Sequence, residues 1–260
     1  MNRSATYLYG FARSGTEVSP GLPGIEEAEP VRALEVAGLA AVVSEVPVEP
    51  FESRAATDLA WLVPRAVRHE GVIETMRARG PILPVRFGSL FTSRAALETW
   101  AAENRHSIED FLQHVADKDE WTIKLSLELG SALESLAAAD PAWDARARGL
   151  PASPGTRYFQ EKRLREDARK QVQKVAREAA DRVRSAARAL AAECVLAPRK
   201  PDSGDLEPVL HAVYLVPRHA IRQFHERTGL AVGDLACLRL ESSGPWPPSH
   251  FCPPMAAPSP

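Results

Sequence analysis

The sequence predicts an α+β protein in two parts, an N-terminal α+β domain and a C-terminal ferredoxin-like domain with one long helix. Three observations carry that expectation. The first half mixes short apolar runs of strand type with stretches of helical spacing, separated by Gly and Pro. The second half reads strand, helix, strand, strand, helix, strand, the split βαβ order. Between 156 and 193 an apolar stripe, Leu164, Ala168, Val172, Val175, Ala179, Val183 and Leu190, recurs at steps of three, four or seven.

Ala5 to Phe11 alternates aromatic and small residues and predicts the first strand. A Gly- and Pro-rich loop follows from Ser14 to Pro30. Val31 to Val36 and Leu39 to Val46 predict two strands turning at Gly38, with Pro47 and Pro50 ending the section. Thr57 or Asp58 caps a helix through Leu59, Leu62, Val63, Ala66, Val67, Val72, Ile73 and Met76. Pro64 and Gly71 predict a kink in it, or two short helices. Ile82 to Val85 is a short strand and Arg86-Phe87-Gly88 turns out of it. Thr92 or Ser93 caps a helix to about Glu103, and another runs from Ser107 to Val115. The charged stretch Asp117 to Glu120 separates the halves.

Beyond it, Trp121 to Leu127 predicts a strand, Ser131 to Ala139 a short helix, and Pro141 to Gly155 a loop. After the long helix, Cys194 to Ala197 and Val209 to Val216 predict strands. Ala220 to Thr228 is a helix stopped at Gly229, and Leu235 to Leu240 is the last strand. The tail from Ser242 has no regular pattern. The expected domains are residues 1–117 and 118–242, with a Pro-rich tail at 243–260.

The 260 residues carry a formal net charge of −2, without the basic excess of a phosphate-binding protein. Cys194, Cys237 and Cys252 are scattered and odd in number, which argues against a disulfide framework or a zinc cluster and fits a reducing compartment. The N-terminus lacks a secretory h-region and no apolar run has membrane-spanning length. A cytoplasmic protein is expected, with no nucleic-acid or membrane partner. The Ala, Arg and Pro content fits a bacterial source.

Catalytic patterns fail on inspection. His69-Glu70 starts an HExxH zinc signature, but Ile73 stands where the second histidine belongs. No P-loop, dinucleotide turn or GxSxG elbow occurs. Glu26-Glu27 and Asp117-Asp119 read as solvated surface. No enzyme, cofactor or metal is expected. A small-molecule enzyme on the ferredoxin-like half is the alternative, recognisable by a pocket with convergent His and carboxylates. An RNA-binding module ranks below it, because the aromatic strand signature is missing. The long helix interleaves acidic residues with many basic ones. Its basic face, Arg169, Lys170, Lys174 and Arg177, is either solvated surface or a docking face for an acidic partner.

Three segments, in order, resemble the gas vesicle protein F/L family. They are Gly80-Pro81-Ile82-Leu83-Pro84-Val85-Arg86-Phe87-Gly88-Ser89-Leu90-Phe91 preceded by His69, Glu120-Trp121-Thr122-Ile123-Lys124-Leu125, and Gly244-Pro245-Trp246-Pro247-Pro248. Leu39 to Val46 and Tyr7 to Gly10 add to the match. The resemblance departs from the family where Ser249-His250-Phe251 replaces Tyr-Ser-Phe, and at Gly155 to Phe159. It implies a non-enzymatic assembly or accessory protein of gas vesicles, or a minor component of the shell, cytoplasmic or vesicle-associated. The implied partners are the hydrophobic major shell protein and other gas vesicle accessory proteins. His69, Pro84, Arg86, Phe87, Gly88, Glu120, Trp121, Lys124 and the run Gly244, Pro245, Trp246, Pro247 and Pro248 are then structural or partner-binding positions. Arg86, after an apolar strand, is expected to be partly buried against Glu120. Trp246 is expected to plug the core.

Overall fold

The computed structural model describes residues 3–54, 57–139, 145–146, 149–150, 153–199 and 206–255. The expected loop from Pro141 to Gly155 lies largely outside them. Two compact units emerge, Met1–Asp119 with Trp246–Pro260, and Glu120–Pro245.

In the first unit, β1 (Ser4–Arg13), β2 (Arg32–Val36), β3 (Leu39–Pro47), β4 (Ile82–Pro84) and β5 (Leu90–Phe91) form one sheet ordered β2-β3-β1-β4, with β5 paired to β1. β2 and β3 join through Ala37 and Gly38, whose φ of 48° and 78° are the pair of positive values a two-residue hairpin needs. β1 and β3 are antiparallel, and their register shifts between Leu8 and Gly10. Leu8 faces Val43 and Phe11 faces Ala41. Leu8 and Phe11 therefore share a side although three residues apart, which is what a bulge does. Tyr7 and Tyr9 point the other way. Gly10 sits where a Cβ would lie 2.4 Å from the Leu83 carbonyl oxygen.

Each side of the sheet receives a helix. α1 (Val48–Ser53) is short, and α2 (Leu59–Arg77) packs Trp61, His69, Val72, Ile73 and Met76 into the core that holds Tyr7 and Tyr9. α3 (Arg94–His114) stacks Trp100 on Phe11, with ring centroids 5.8 Å apart. With both faces covered, β1 and β3 read as nearly unbroken buried runs.

Several local expectations change. Pro50 does not end the section but lies inside α1. α2 is one helix through Pro64, capped by the Asp58 carboxylate accepting from the Trp61 N–H at 3.0 Å. α3 is one helix, because Asn104 to His106 keep helical backbone and the apolar spacing through Leu97, Ala101, Ile108 and Leu112 is unbroken. The loop before β2 is held down: Arg65 makes two bonds to Glu26, at 2.8 and 2.9 Å, while lying over Trp61, and Arg68 bonds Glu27 and the Ile25 carbonyl. Glu26 is thus a structural partner rather than solvated surface.

The two units divide within Asp117 to Glu120, and that stretch is structured rather than solvated surface. Asp117 turns with φ of 56°, and β6 (Lys118–Glu128) starts at once. Asp119 is buried, and the Arg77 guanidinium of α2 donates to it at 2.8 Å, leaving the buried Arg77 Nε–H with no hydrogen-bond partner. Removing one partner of such a pair strands a charge. Asp119→Ala should lower the stability of the first unit by about 2 kcal/mol, discounted for the partial exposure of Arg77. Replacing both partners at once, Arg77→Met with Asp119→Leu, should recover most of that loss in urea unfolding, since neither charge is then left behind.

The second unit pairs β7 (Glu193–Leu196), β8 (Leu206–Pro217), β6 and β9 (Leu238–Trp246) in the order β7-β8-β6-β9. By chain order that is second, third, first, fourth, the ferredoxin-like arrangement. α4 (Leu129–Ala139) packs on α5 (Pro154–Arg188), and α5 packs on α6 (Ile221–Val232). Ala179, Val183 and Ala187 of α5 meet Ile123, Leu125, Ala212, Tyr214 and Phe224 in one core. The long helix ends at Arg188, earlier than expected. α6 runs through Gly229 to Gly233, whose φ of 74° suits glycine at a helix end. The last strand continues through Gly244 and Pro245 to Trp246, so the expected irregular tail starts later. Pro245 is tolerated there because β9 is an edge strand.

Candidate functional site

The Gly80 to Phe91 segment forms β4, a turn and β5, and its polar atoms close around one histidine. The Gly88 N–H donates to the Tyr7 hydroxyl oxygen at 3.1 Å. Tyr7 Oη lies 2.8 Å from His69 Nδ1, and His69 Nε2 lies 3.1 Å from the Val85 carbonyl oxygen. A carbonyl only accepts, so Nε2 carries the proton and Nδ1 accepts from the Tyr7 O–H. Every ring nitrogen is occupied. Burial holds His69 down at about 4, hence neutral, and raises the Tyr7 phenol far above its usual range. Beside it, the Tyr9 hydroxyl bonds Ser44 at 2.9 Å and accepts from the Ile25 N–H at 2.7 Å. Pro84 is buried, Phe87 packs edge-on to His69 with centroids 5.8 Å apart, and Gly88 turns with φ of 85°. This group leaves no free acid, base or ligand; it braces α2 against the sheet.

Arg86 is exposed, not partly buried as expected. Its side chain projects from the turn while its carbonyl accepts from Ser89, so the reason for pairing it with Glu120 is gone. Glu120 is buried in the second unit. There, a Cβ on Gly244 would stand 2.8 Å from the Glu120 carbonyl oxygen and 2.9 Å from Trp121 Cδ2, and Gly244 has φ of 146°. The Glu120-Trp121 and Gly244 motifs are therefore two sides of one contact. Trp121 also meets His225 edge-on at 4.4 Å. Lys124 and Pro245 are exposed. Trp246 is 44% exposed and does not plug the core; Pro247 and Pro248 are the buried members of that run.

On the long helix, Arg169 is tied to Glu207, which also accepts from Gln173 at 3.0 Å. Lys170, Lys174 and Arg177 are exposed. A cavity of about 190 Å³ beside them is lined by Leu127, Gln173, Arg177, Arg199, Glu207 and Val209. It holds no histidine, and its one carboxylate is already committed, so it lacks the convergent groups of the enzyme alternative. Among the described residues, no group of three or more His, Cys, Asp and Glu is placed to hold a metal, and no helix is long and apolar enough to cross a membrane.

The surface feature missed by sequence reasoning is on α2. Leu59, Val63 and Val67 are 71%, 54% and 66% exposed. At about 100° per residue they fall within an arc of about 80°, roughly opposite the buried face of Trp61, His69, Val72 and Met76. Ala60 and Pro64 flank them, also exposed. The signal lies in the sequence: the apolar residues of this helix spread too widely for one stripe.

A family model described as "Gas vesicle synthesis protein GvpL/GvpF" matches residues 5–253. The chain belongs to the GvpL/GvpF family. A relative, gas vesicle protein F of Streptomyces sp. (strain CB03234), is 30% identical over 252 residues, covering 95% of this chain and 99% of the relative. The fold is that of solved GvpF structures. That from Anabaena sp. PCC7120 matches with a TM-score of 0.70 at 16% identity, covering 98% of both chains. That from Microcystis aeruginosa gives 0.63 at 18% identity, covering 96% of this chain and 99% of the other. A gas-vesicle role follows from membership. The motif segments that resemble the GvpL/GvpF family are, in this chain, mostly interior: His69, Pro84, Glu120, Pro247 and Pro248 are buried, while Phe87, Trp121 and Gly244 are half-buried. Arg86, Gly88, Lys124, Pro245 and Trp246 lie at the surface.

Proposed function

We propose that this GvpL/GvpF member assists gas vesicle formation by binding the hydrophobic major shell protein and covering its apolar surface before assembly. One observation carries the reading beyond family membership: the exposed apolar face of α2, which the fold does not use. Single exposed apolar residues are ordinary, but a contiguous row on a helix otherwise held rigidly from beneath is a surface for another protein. The buried motif residues hold the scaffold, and the docking falls to the surface. The exposed Lys170, Lys174 and Arg177 form a second contact for an acidic accessory protein of the same assembly. The protein works in the cytoplasm and at the growing vesicle.

Co-purification tests this. Immobilised full-length chain should retain soluble shell protein, and Val63→Asp with Val67→Asp should cut retention at least tenfold while leaving the far-UV spectrum and melting unchanged, since both side chains face solvent. No retention by the natural chain, with both proteins soluble, would remove shell binding as its role.

A further inference from the structure

The outward side of α2 does not stop at Val67. Glu70 and Glu74 continue it within the same arc of about 80°, and both are exposed. The strip so formed, from Leu59 to Glu74, is about 22 Å long at about 1.5 Å per residue. It is apolar over its first half and acidic at its end. Neither carboxylate is in an ion pair among the described residues. Arg77, one turn beyond Glu74, is turned inward to Asp119, and Arg68 is committed to Glu27 and the Ile25 carbonyl. Packing around Glu70 and the neighbouring Glu74 carboxylate both push the Glu70 carboxyl up from its usual range, as expected of two like charges one turn apart with no cation between them.

We propose that this strip docks an amphipathic helix of the shell subunit whose apolar stripe is followed, one turn on, by Lys or Arg. This rests on the reading of the chain as a shell-protein binder, and adds the shape, polarity and charge of what is bound. The length suits a helix of about four turns laid along α2. The apolar half supplies burial. The acidic end fixes which way the partner runs, because a reversed helix would set its basic end against Val63 and leave two carboxylates facing apolar groups.

Two fluorescein-labelled synthetic peptides of 18 residues test it with the full-length chain. Both carry Leu at i, i+4 and i+8; one follows these with two Lys, the other with two Glu. In anisotropy titrations at low salt, the Lys peptide should bind at least tenfold more tightly. Glu70→Lys with Glu74→Lys should reverse that order, and Val63→Asp with Val67→Asp should abolish binding of both. Equal binding of the two peptides, or a preference unmoved by the charge reversal, overturns the proposal. So does a dimer of the chain that Val63→Asp dissociates, which would assign the strip to a second copy. The two readings fail separately. Shell protein retained despite Val63→Asp with Val67→Asp keeps the binder and sinks this strip. Peptide discrimination without shell retention sinks the shell subunit as the occupant.

Discussion

Replacing His69 with alanine should destabilise the first unit by about 3 kcal/mol, from the lost packing and from a Tyr7 hydroxyl left with no acceptor. The natural side chain should also give the unit an acid-sensitive arm. The neutral ring is retained in the folded state down to about 4, whereas an unfolded histidine takes a proton near 6.5. Between those values the unfolded chain binds more protons, so stability rises with pH across the window and is lost as pH falls through it. At about 1.4 kcal/mol per unit, the loss reaches about 3 kcal/mol by pH 4. Urea unfolding at pH 7, 6, 5 and 4 measures it. Carboxylates and His225, which burial also lowers, add slope of their own, so the decisive quantity is the difference between the natural chain and His69→Gln, whose arm below pH 6.5 should be clearly shallower. Equal slopes in the natural chain and His69→Gln between pH 6.5 and 5 would contradict the neutral, two-bonded imidazole.

Gly244→Ala should cost the second unit about 3 kcal/mol, with Gly244→Val costing more. The new methyl group meets a backbone carbonyl oxygen at 2.8 Å and the Trp121 ring at 2.9 Å. A carbonyl in the strand that crosses the sheet cannot swing aside as a long side chain can, and φ of 146° is itself unfavourable for any residue with a Cβ. Trp121→Ala would relieve only the ring contact, so Gly244→Ala in that background should remain destabilising. Thermal melts of the four chains in the double-mutant cycle separate the two contributions.

Much of this architecture is legible in residue order. The strands at Leu39 and Val209 are long apolar runs of β-branched type, and the ferredoxin-like order follows from them and the long helix. Helix interruptions are less legible, because local punctuation is visible in a sequence and tertiary packing is not. Pro50 sits in a first turn where its missing N–H is not needed. Gly229 is tolerated within α6 because Phe224, Thr228 and Val232 are packed on either side of it. A break between Glu103 and Ser107 is suggested by polarity alone, but Arg105 and His106 face outward between buried turns and Asn104 donates back to the Trp100 carbonyl oxygen. The candidate surface is the least legible part. The apolar residues of α2 satisfy a helical period as a set, which reads as a single core-facing stripe; only burial separates Val72, Ile73 and Met76 from Leu59, Val63 and Val67. Likewise, Gly244 stands out as part of a motif, but its cause is a close approach to residues far earlier in the chain.

The division of α2 into an inner and an outer side means that the two can change independently. The inner side is constrained by Trp61, His69 and their neighbours, where a methyl group more or less is felt at once. The outer side is open to solvent at Leu59, Val63, Val67, Glu70 and Glu74, so substitutions there change the surface while the core beneath stays as it is. Under the proposed role, one rigid helix can be refitted on its outer side to a different client without rebuilding the unit that carries it.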